Sequence, residues 1–270
     1  MHTYTPPKVP RSIPVIDLGR LHFGASARQG AAAEIHRAYV RTGFFYVSHH
    51  GIDSALIEKQ FDFTKKFFDL PIKEKMSIWM KSSSAASGYE PIGGQALDSQ
   101  DATQKAAPPD LKESFTAELS CQTIILTSPP ASGVLGKPVP GGYRTVSRAD
   151  ASLWCRVARL GDTILELMAL SLDLQSNWFA PHFATAGAKL RLIKYSPQQE
   201  AAVTNQLGAG AHTDWGGITI LAQVSIGGLE VQMLPASGSR PSRFPIRSSS
   251  ISGIWWRGGR TESTNRIFIG

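Results

Sequence analysis

Apolar residues in the first half of the chain recur mostly at helical spacing. Ala25–Thr42 and Asp53–Phe68 place apolar side chains three or four residues apart, with Gly43 ending the first segment and Asp53 positioned to cap the second. Ala149–Leu174 carries the longest such series and predicts the longest helix. All three segments predict helices that pack an apolar face against a core.

Short runs of β-branched and aromatic residues predict strands. Ile13–Leu18 and Phe44–Val47 are two such runs in the first half. Later runs, separated by glycine pairs, predict strands at Leu190–Tyr195, Gly210–His212, Ile218–Val224 and Gly228–Met233. Residues 80–150 show weak periodicity and many Ser, Gly, Pro and Gln residues, which favours loops. The pattern predicts an α+β protein whose core is mainly β, a β-barrel or jelly roll with the helices packed outside it.

Composition excludes several classes of protein. Of the 270 residues, 42% are hydrophobic and 18% are charged, which suits a packed interior rather than a disordered chain. No apolar run approaches the roughly 18 residues of a membrane span, and the N-terminus lacks the features of a signal or transit peptide. Cys121 and Cys155 are too few for a disulfide framework. We expect a cytoplasmic monomer with no membrane partner.

The excess positive charge is concentrated at the C-terminal end. The net charge is +7, and residues 238–270 contain six arginines and a single glutamate. These arginines are not interleaved with aromatic residues into a binding face, which argues against a nucleic-acid partner. The segment differs from the rest of the chain by being rich in Ser and Arg and nearly free of acidic residues.

A single residue, Thr213, separates His212 from Asp214 at the end of a predicted strand. Side chains at positions i and i+2 of a strand point to the same face, so an imidazole and a carboxylate there can reach one cation. The pair would supply two of the three ligands of a 2-His-1-carboxylate site, which leaves open positions on a non-haem Fe(II). Taken alone, the pattern more often describes a hydrogen-bonded His–Asp pair without a metal.

The residues around this pair belong to a longer series of motifs. Leu190–Pro197 precedes Gly208–Gln223, which contains the His-Thr-Asp string, and Gly227–Gln232 follows. The earlier motifs are Ile13–Leu18, Gly43–Ile52, Phe67–Met76, Gly88-Tyr89 and Lys112–Phe115. In this order, and over about residues 10–235, the motifs resemble those of the isopenicillin N synthase-like, Fe(II)/2-oxoglutarate-dependent dioxygenases.

The resemblance implies a double-stranded β-helix, which is a jelly roll, and roles for individual residues. His212 and Asp214 match the family's first two iron ligands, and Tyr195 matches the tyrosine whose hydroxyl bonds the 2-oxoglutarate carboxylate. Ile193 stands where the family often has Asn. Trp215 either lines the substrate side of the site or packs in the core.

The resemblance also implies an activity and its cofactors. Members use Fe(II) to couple oxidative decarboxylation of 2-oxoglutarate to hydroxylation, desaturation or ring closure of a small molecule. We expect a small-molecule substrate from secondary metabolism, ascorbate as reductant, and no catalytic residue beyond the metal ligands. Two alternatives stay open: a non-catalytic remnant, and an oxidase of the isopenicillin N synthase type that does not use 2-oxoglutarate.

Two features of the family's site are missing from this sequence. The family has a second histidine ligand well downstream of the His-x-Asp pair, but none of the seven histidines follows His212. The family's later Arg-x-Ser, whose guanidinium pairs with the 2-oxoglutarate carboxylate, follows that second histidine and has no counterpart after such a histidine here. The iron site of the chain as given therefore retains only His212 and Asp214.

The genetic code suggests why these features are missing. Reading the possible codons of residues 250–270 from the third base of each gives an alternative reading frame. In that frame, the codon that spans Trp255 and Trp256 can encode only Val. The neighbouring codons then permit N-I-G-D-L-V-A-R-W-T-N-G-I-Y-x-S-x-x-H-R, the family's next motif, with its histidine codon overlapping those of Phe268 and Ile269. We interpret this as a frameshift or mis-spliced junction near residue 235, the alternative being a divergent C-terminus.

This interpretation divides the chain into three regions. Residues 10–120 form an N-terminal dioxygenase region, residues 149–235 the long helix with a partial jelly roll, and residues 236–270 an out-of-frame tail. We expect the tail to lack strands, so that the last strands of the jelly roll are missing. We also expect the chain as given to have little or no catalytic activity.

Overall fold

The fold is known for most of the chain from a computed structural model. It describes residues 13–82, 87–94, 109–119, 148–183, 188–197, 207–210, 217–224, 226, 228–233, 242–245, 254–256 and 268–269. Across these ranges, no helix has the length and apolar character needed to cross a membrane.

The predicted helices are present, and their ends lie close to the predicted ones. They are α1 (Ala25–Arg41), α2 (Ser54–Phe68) and α4 (Arg148–Ser171), and the structure adds two short helices that were not predicted, α3 (Ile72–Met76) and α5 (Ala180–Phe183). The Asp53 carboxylate accepts a hydrogen bond from the Ala55 backbone N–H at 3.0 Å, which confirms the predicted cap. Gly43 follows α1 with a φ of 71°, and its N–H bonds to the Ala38 carbonyl oxygen at 3.2 Å, as expected of a glycine that ends a helix.

The described strands include all the predicted ones except the one expected at 210–212. They are β1 (Val15–Asp17), β2 (Phe44–Ser48), β3 (Gly88–Glu90), β4 (Lys112–Leu119), β5 (Ala188–Tyr195), β6 (Ile218–Ile220), β7 (Glu230–Met233), β8 (Ser242–Pro245), β9 (Ile254–Trp256) and β10 (Phe268–Ile269). Gly210 lies in no strand, and residues 211 and 212 are outside the described residues. β6 is shorter than predicted, because residues 221–224 do not pair with a neighbouring strand.

The chain forms two units whose segments alternate along the sequence. Unit 1 contains Met1–Gly51, Arg159–Ala184 and Ala211–Gly270, and unit 2 contains Ile52–Ala158 and Thr185–Gly210. The predicted regions 10–120 and 149–235 therefore each contribute to both units.

Unit 1 contains two sheets that include residues of the C-terminal segment. Their strand orders are β1-β2-β9-β6 and β10-β7-β8. The strands β8, β9 and β10 all lie within residues 236–270, so the prediction that this segment lacks strands is wrong at those positions. Strand pairing uses backbone N–H and C=O groups, and short runs of almost any sequence can satisfy the free edges of β2, β6 and β7.

Unit 2 contains a sheet of order β3-β4-β5 in which both pairings are antiparallel. Phe115 in β4 lies opposite Tyr89 in β3 and Leu192 in β5. The prediction of loops throughout residues 80–150 is therefore wrong at β3 and β4. β4 begins with Lys-Glu-Ser, which shows no apolar alternation, and its polar side chains are buried because tertiary neighbours provide their partners.

An aromatic cluster covers one face of this sheet and forms the core of unit 2. Phe67 lies at its centre, with its ring centroid 4.9 Å from that of Phe115 and 5.1 Å from that of Phe68. The buried members are Phe67, Phe68, Ile78, Tyr89, Phe115, Ala117, Trp154 and Leu192. Burial of these large apolar side chains supplies the main driving force for folding unit 2.

A buried ion pair lies beside this aromatic core. Lys75 Nζ is 2.7 Å from Glu113 Oε2 and donates a hydrogen bond to the Phe68 carbonyl oxygen at 2.8 Å. The Tyr89 hydroxyl donates to the same Glu113 oxygen at 2.7 Å. Burial and the neighbouring Glu113 carboxylate raise the pKa of the Tyr89 phenol, so it remains a donor at neutral pH.

We expect Lys75→Met to lower the free energy of unfolding by about 3–5 kcal/mol. The substitution removes the ammonium group and leaves the Glu113 carboxylate buried without that partner. Urea denaturation of the two proteins measures the difference.

Lys194→Met serves as the matched control, because Lys194 Nζ is 3.8 Å from the other Glu113 oxygen and its side chain is 40% exposed. That variant should cost at most about 1 kcal/mol. Lys75→Met combined with Glu113→Gln should recover most of the lost stability. Equal losses in the two single lysine variants would show that the buried pair is not the cause.

Candidate functional site

Tyr195 is the one predicted site residue that the described part of the chain contains. It is the last residue of β5, which agrees with the strand predicted at Leu190–Tyr195. His212, Asp214 and Trp215 lie outside the described residues, and their roles stay predictions. The structure describes the chain on either side of them, at residues 207–210 and 217–224.

Tyr195 lies on the face of the unit 2 sheet opposite the aromatic core. Side chains alternate between the two faces of a strand, and residues paired across strands share a face. Phe115 and Leu192 face the core, so Lys112 and its pairing partner Tyr195 belong to the other face. We call this the polar face and define it by Glu90, Lys112, Ser114, Thr116, Arg191 and Tyr195.

The cations of the polar face are paired with carboxylates. Arg191 Nη2 lies 3.0 Å from Glu90 Oε2 and 3.1 Å from Ser114 Oγ. Lys112 Nζ lies 2.9 Å from Asp110 Oδ2, and burial lowers the pKa of this lysine. The polar face therefore carries fixed hydrogen-bonding groups of both charges, which suits contact with a polar small molecule.

Tyr195 packs against the segment that leads to the His-Thr-Asp string. A Cβ atom at Gly208 would lie 2.9 Å from the Tyr195 ring, so the backbone approaches the ring more closely than a larger residue permits. About half of the Tyr195 surface is exposed, and desolvation by the surrounding protein nevertheless raises the pKa of its phenol. The hydroxyl is thus a neutral group that can donate a hydrogen bond to a carboxylate.

Backbone hydrogen bonds hold the same segment to the start of β4. The Leu111 N–H donates to the Leu207 carbonyl at 2.9 Å, and the Leu111 carbonyl accepts from the Ser196 N–H at 3.1 Å. The Asp110 carboxylate accepts a hydrogen bond from the Gly210 N–H at 2.9 Å. These contacts join the end of β5, the start of β4 and residues 207–210.

The metal-binding groups in the sequence fit an Fe(II) site in part. An imidazole and a carboxylate are ligands that non-haem Fe(II) accepts, and His212 and Asp214 provide one of each. Phe268 stands where the third ligand is expected. Within the described ranges, no group of three His, Cys, Asp or Glu side chains could hold a metal ion.

Asp110, Glu90 and Arg191 are not among the site residues predicted from the sequence. One signal was available, because Asp110 and Lys112 are two residues apart and would share a face if β4 extended to Asp110. No local pattern indicates that Glu90 and Arg191 meet, since 101 residues separate them.

Comparison with known proteins identifies the family. Residues 13–125 match the family described as "non-haem dioxygenase in morphine synthesis N-terminal". The 2-oxoglutarate-dependent dioxygenase traH of Penicillium crustosum is 30% identical over 270 residues, an alignment that covers 93% of this chain and 78% of that protein. This chain belongs to the Fe(II)/2-oxoglutarate-dependent dioxygenase family. The resemblance stated from the motifs is confirmed.

Other members differ from this dioxygenase chain in length. Gibberellin 20 oxidase 2 of Oryza sativa is 30% identical over 220 residues, which covers 81% of this chain and 53% of that protein. The chain thus spans about half the length of the curated relatives it first matches. A full-length Neurospora crassa protein, solved in complex with α-ketoglutarate, has the same fold, with a TM-score of 0.71 and 22% identity, covering 95% of this chain and 77% of that one.

Proposed function

We propose that the gene product in its intact reading frame is an Fe(II)- and 2-oxoglutarate-dependent oxygenase of a small molecule. The placement of Tyr195 carries this proposal, because β5 puts its hydroxyl on a polar face beside the segment that continues to His212. In this proposal His212 and Asp214 bind Fe(II), Tyr195 hydrogen-bonds the 2-oxoglutarate carboxylate and Trp215 lines the substrate side. Bound Fe(II) and 2-oxoglutarate supply the oxidising chemistry, which hydroxylates, desaturates or cyclises a secondary metabolite.

The protein's own contribution is to position the reactants and exclude water. The Tyr195 phenol donates to a carboxylate without adding charge, and the partly exposed Arg191–Glu90 pair of the polar face orients a polar substrate by hydrogen bonding. The strands of the intact frame would complete a jelly roll around the site. In the chain as given, β8 and β10 form the edges of one sheet and β9 lies between β2 and β6 in the other, and the residues of these three strands include no metal-binding side chain.

A second proposal concerns the chain as given, which we infer to be a non-catalytic remnant. The absence of histidine from residues 236–270 favours it. Two protein ligands are too few for a stable facial site. An oxidase of the isopenicillin N synthase type would need the same three ligands and differs in not consuming 2-oxoglutarate.

We expect the 270-residue chain to form no substrate-dependent succinate, and the protein expressed after restoring the reading frame near codon 235 to form it. Both proteins are incubated with Fe(II), ascorbate, 2-oxoglutarate and a panel of small molecules that includes thymine, which is bound in a solved structure of the Neurospora protein. Oxygen uptake without succinate in the restored protein would favour the oxidase alternative. Robust succinate formation by the chain as given would contradict the remnant proposal.

In the frame-restored protein, His212→Ala or Asp214→Ala should reduce Fe(II)-dependent turnover below detection. Each variant loses one of three protein ligands, and the remaining two hold the ion too weakly. His182→Ala and Asp62→Ala, which alter exposed residues of α5 and α2, are the matched controls and should retain activity. Substantial turnover by either ligand variant would overturn the assignment of that ligand.

Tyr195→Phe in the frame-restored protein should weaken 2-oxoglutarate binding by about 0.5–3 kcal/mol, the range for one hydrogen bond to a neutral or charged group. The KM for 2-oxoglutarate measures the effect. Tyr39→Phe is the control, because it removes a hydroxyl that contacts His36 near the end of α1 instead. An unchanged KM in Tyr195→Phe would remove this tyrosine from the site.

A further inference from the structure

Asp110 is a buried carboxylate outside the apolar core. It is 3% exposed, and its two oxygens have different neighbours. Oδ1 accepts the hydrogen bond from the Gly210 N–H at 2.9 Å, and Oδ2 lies 2.9 Å from Lys112 Nζ. Lys112 is itself 5% exposed, so the pair is removed from water.

Burial of this pair has a cost that packing alone does not offset. Two charges taken out of water lose their hydration, and apolar residues of similar size often stabilise a protein as well or better. Neither Asp110 nor Lys112 belongs to the aromatic cluster of unit 2. The pair therefore contributes to something other than the aromatic core, and its carboxylate also accepts the hydrogen bond from the Gly210 backbone.

Gly210 is the last described residue before the predicted metal ligands. His212 follows it by two residues along the chain. The Leu111 N–H donates a hydrogen bond to the Leu207 carbonyl oxygen. The consecutive residues Asp110 and Leu111 therefore bond to both ends of the segment 207–210. A segment fixed at two points restricts the conformations of the residues that follow it, which lowers the entropy lost when a metal is bound.

We propose that Asp110 is a positioning residue that fixes where the His212–Asp214 segment begins, with Lys112 orienting its carboxylate through the ion pair. This inference rests on the proposed function, in that it takes His212 and Asp214 as metal ligands. It assigns to Asp110 no contact with metal, cosubstrate or substrate. Its action is transmitted through the Gly210 peptide group.

A pair of double variants isolates the hydrogen bond to Gly210. Asp110→Asn with Lys112→Met removes both charges and keeps a side-chain carbonyl that can accept from the Gly210 N–H. Asp110→Leu with Lys112→Met has nearly the same shape and no acceptor. Ser114→Ala, a buried substitution in the same strand that does not touch residues 207–210, controls for general loosening of the sheet.

Amide hydrogen exchange on the full chain provides the first measurement. Peptides that cover residues 207–216 should exchange roughly tenfold faster in the Leu variant than in the Asn variant, because the Leu variant lacks the Gly210 acceptor. The Asn variant and Ser114→Ala should resemble the unsubstituted chain. Equal exchange in the Asn and Leu variants overturns the proposal, whatever the metal results are.

Titration with Co(II), followed by its visible absorption, of the frame-restored protein and the same variants made in it provides the second measurement. The Leu variant should bind Co(II) roughly tenfold more weakly than the Asn variant, the size of effect seen when partners of metal ligands are removed. If the Leu variant exchanges faster but binds Co(II) as tightly as the Asn variant, Asp110 stabilises residues 207–210 without positioning the metal ligands. That result would overturn the positioning role. If His212→Ala binds Co(II) as well as the unsubstituted chain, the metal site itself fails, and the exchange data still report separately whether Asp110 holds Gly210.

Discussion

Unit 2 depends on one constraint, which is that β4 carries charged and polar residues into a buried position. Lys112, Glu113 and Ser114 follow one another there and are all at least 95% buried. A buried charge without a partner costs several kcal/mol, so each of these side chains needs a partner held in place. Glu113 is satisfied by Lys75 and Tyr89, which come from α3 and β3. The positions of those elements are thus tied to β4.

The alternation of side chains along β4 separates stability from chemistry. Glu113 and Phe115 face the aromatic cluster, which forms the apolar core described for unit 2. Lys112 and Ser114 face the other way, together with Tyr195 and Arg191. One strand therefore contributes to the core on one face and to the candidate site on the other.

The C-terminal segment shows that strand pairing and chemical function make different demands on sequence. β9 pairs with β2 and β6, and β10 pairs with β7. Such pairing is possible because the backbone N–H and C=O groups of a sheet edge can bond almost any extended segment. A metal site needs a histidine at one particular position, and no backbone group can replace it. Formation of sheet by residues 236–270 is therefore compatible with a change of reading frame.

The sequence by itself determined the three long helices, the capping role of Asp53, five of the ten described strands and membership of the dioxygenase family. These follow from local periodicity, from turn chemistry and from motifs that lie within short stretches of chain. Only the tertiary structure decided that Lys112–Leu119 is a central strand, that Glu90 meets Arg191 and that Asp110 holds Gly210. Such polar contacts join residues far apart in sequence, and burial becomes favourable for each group only when its distant partner is in place.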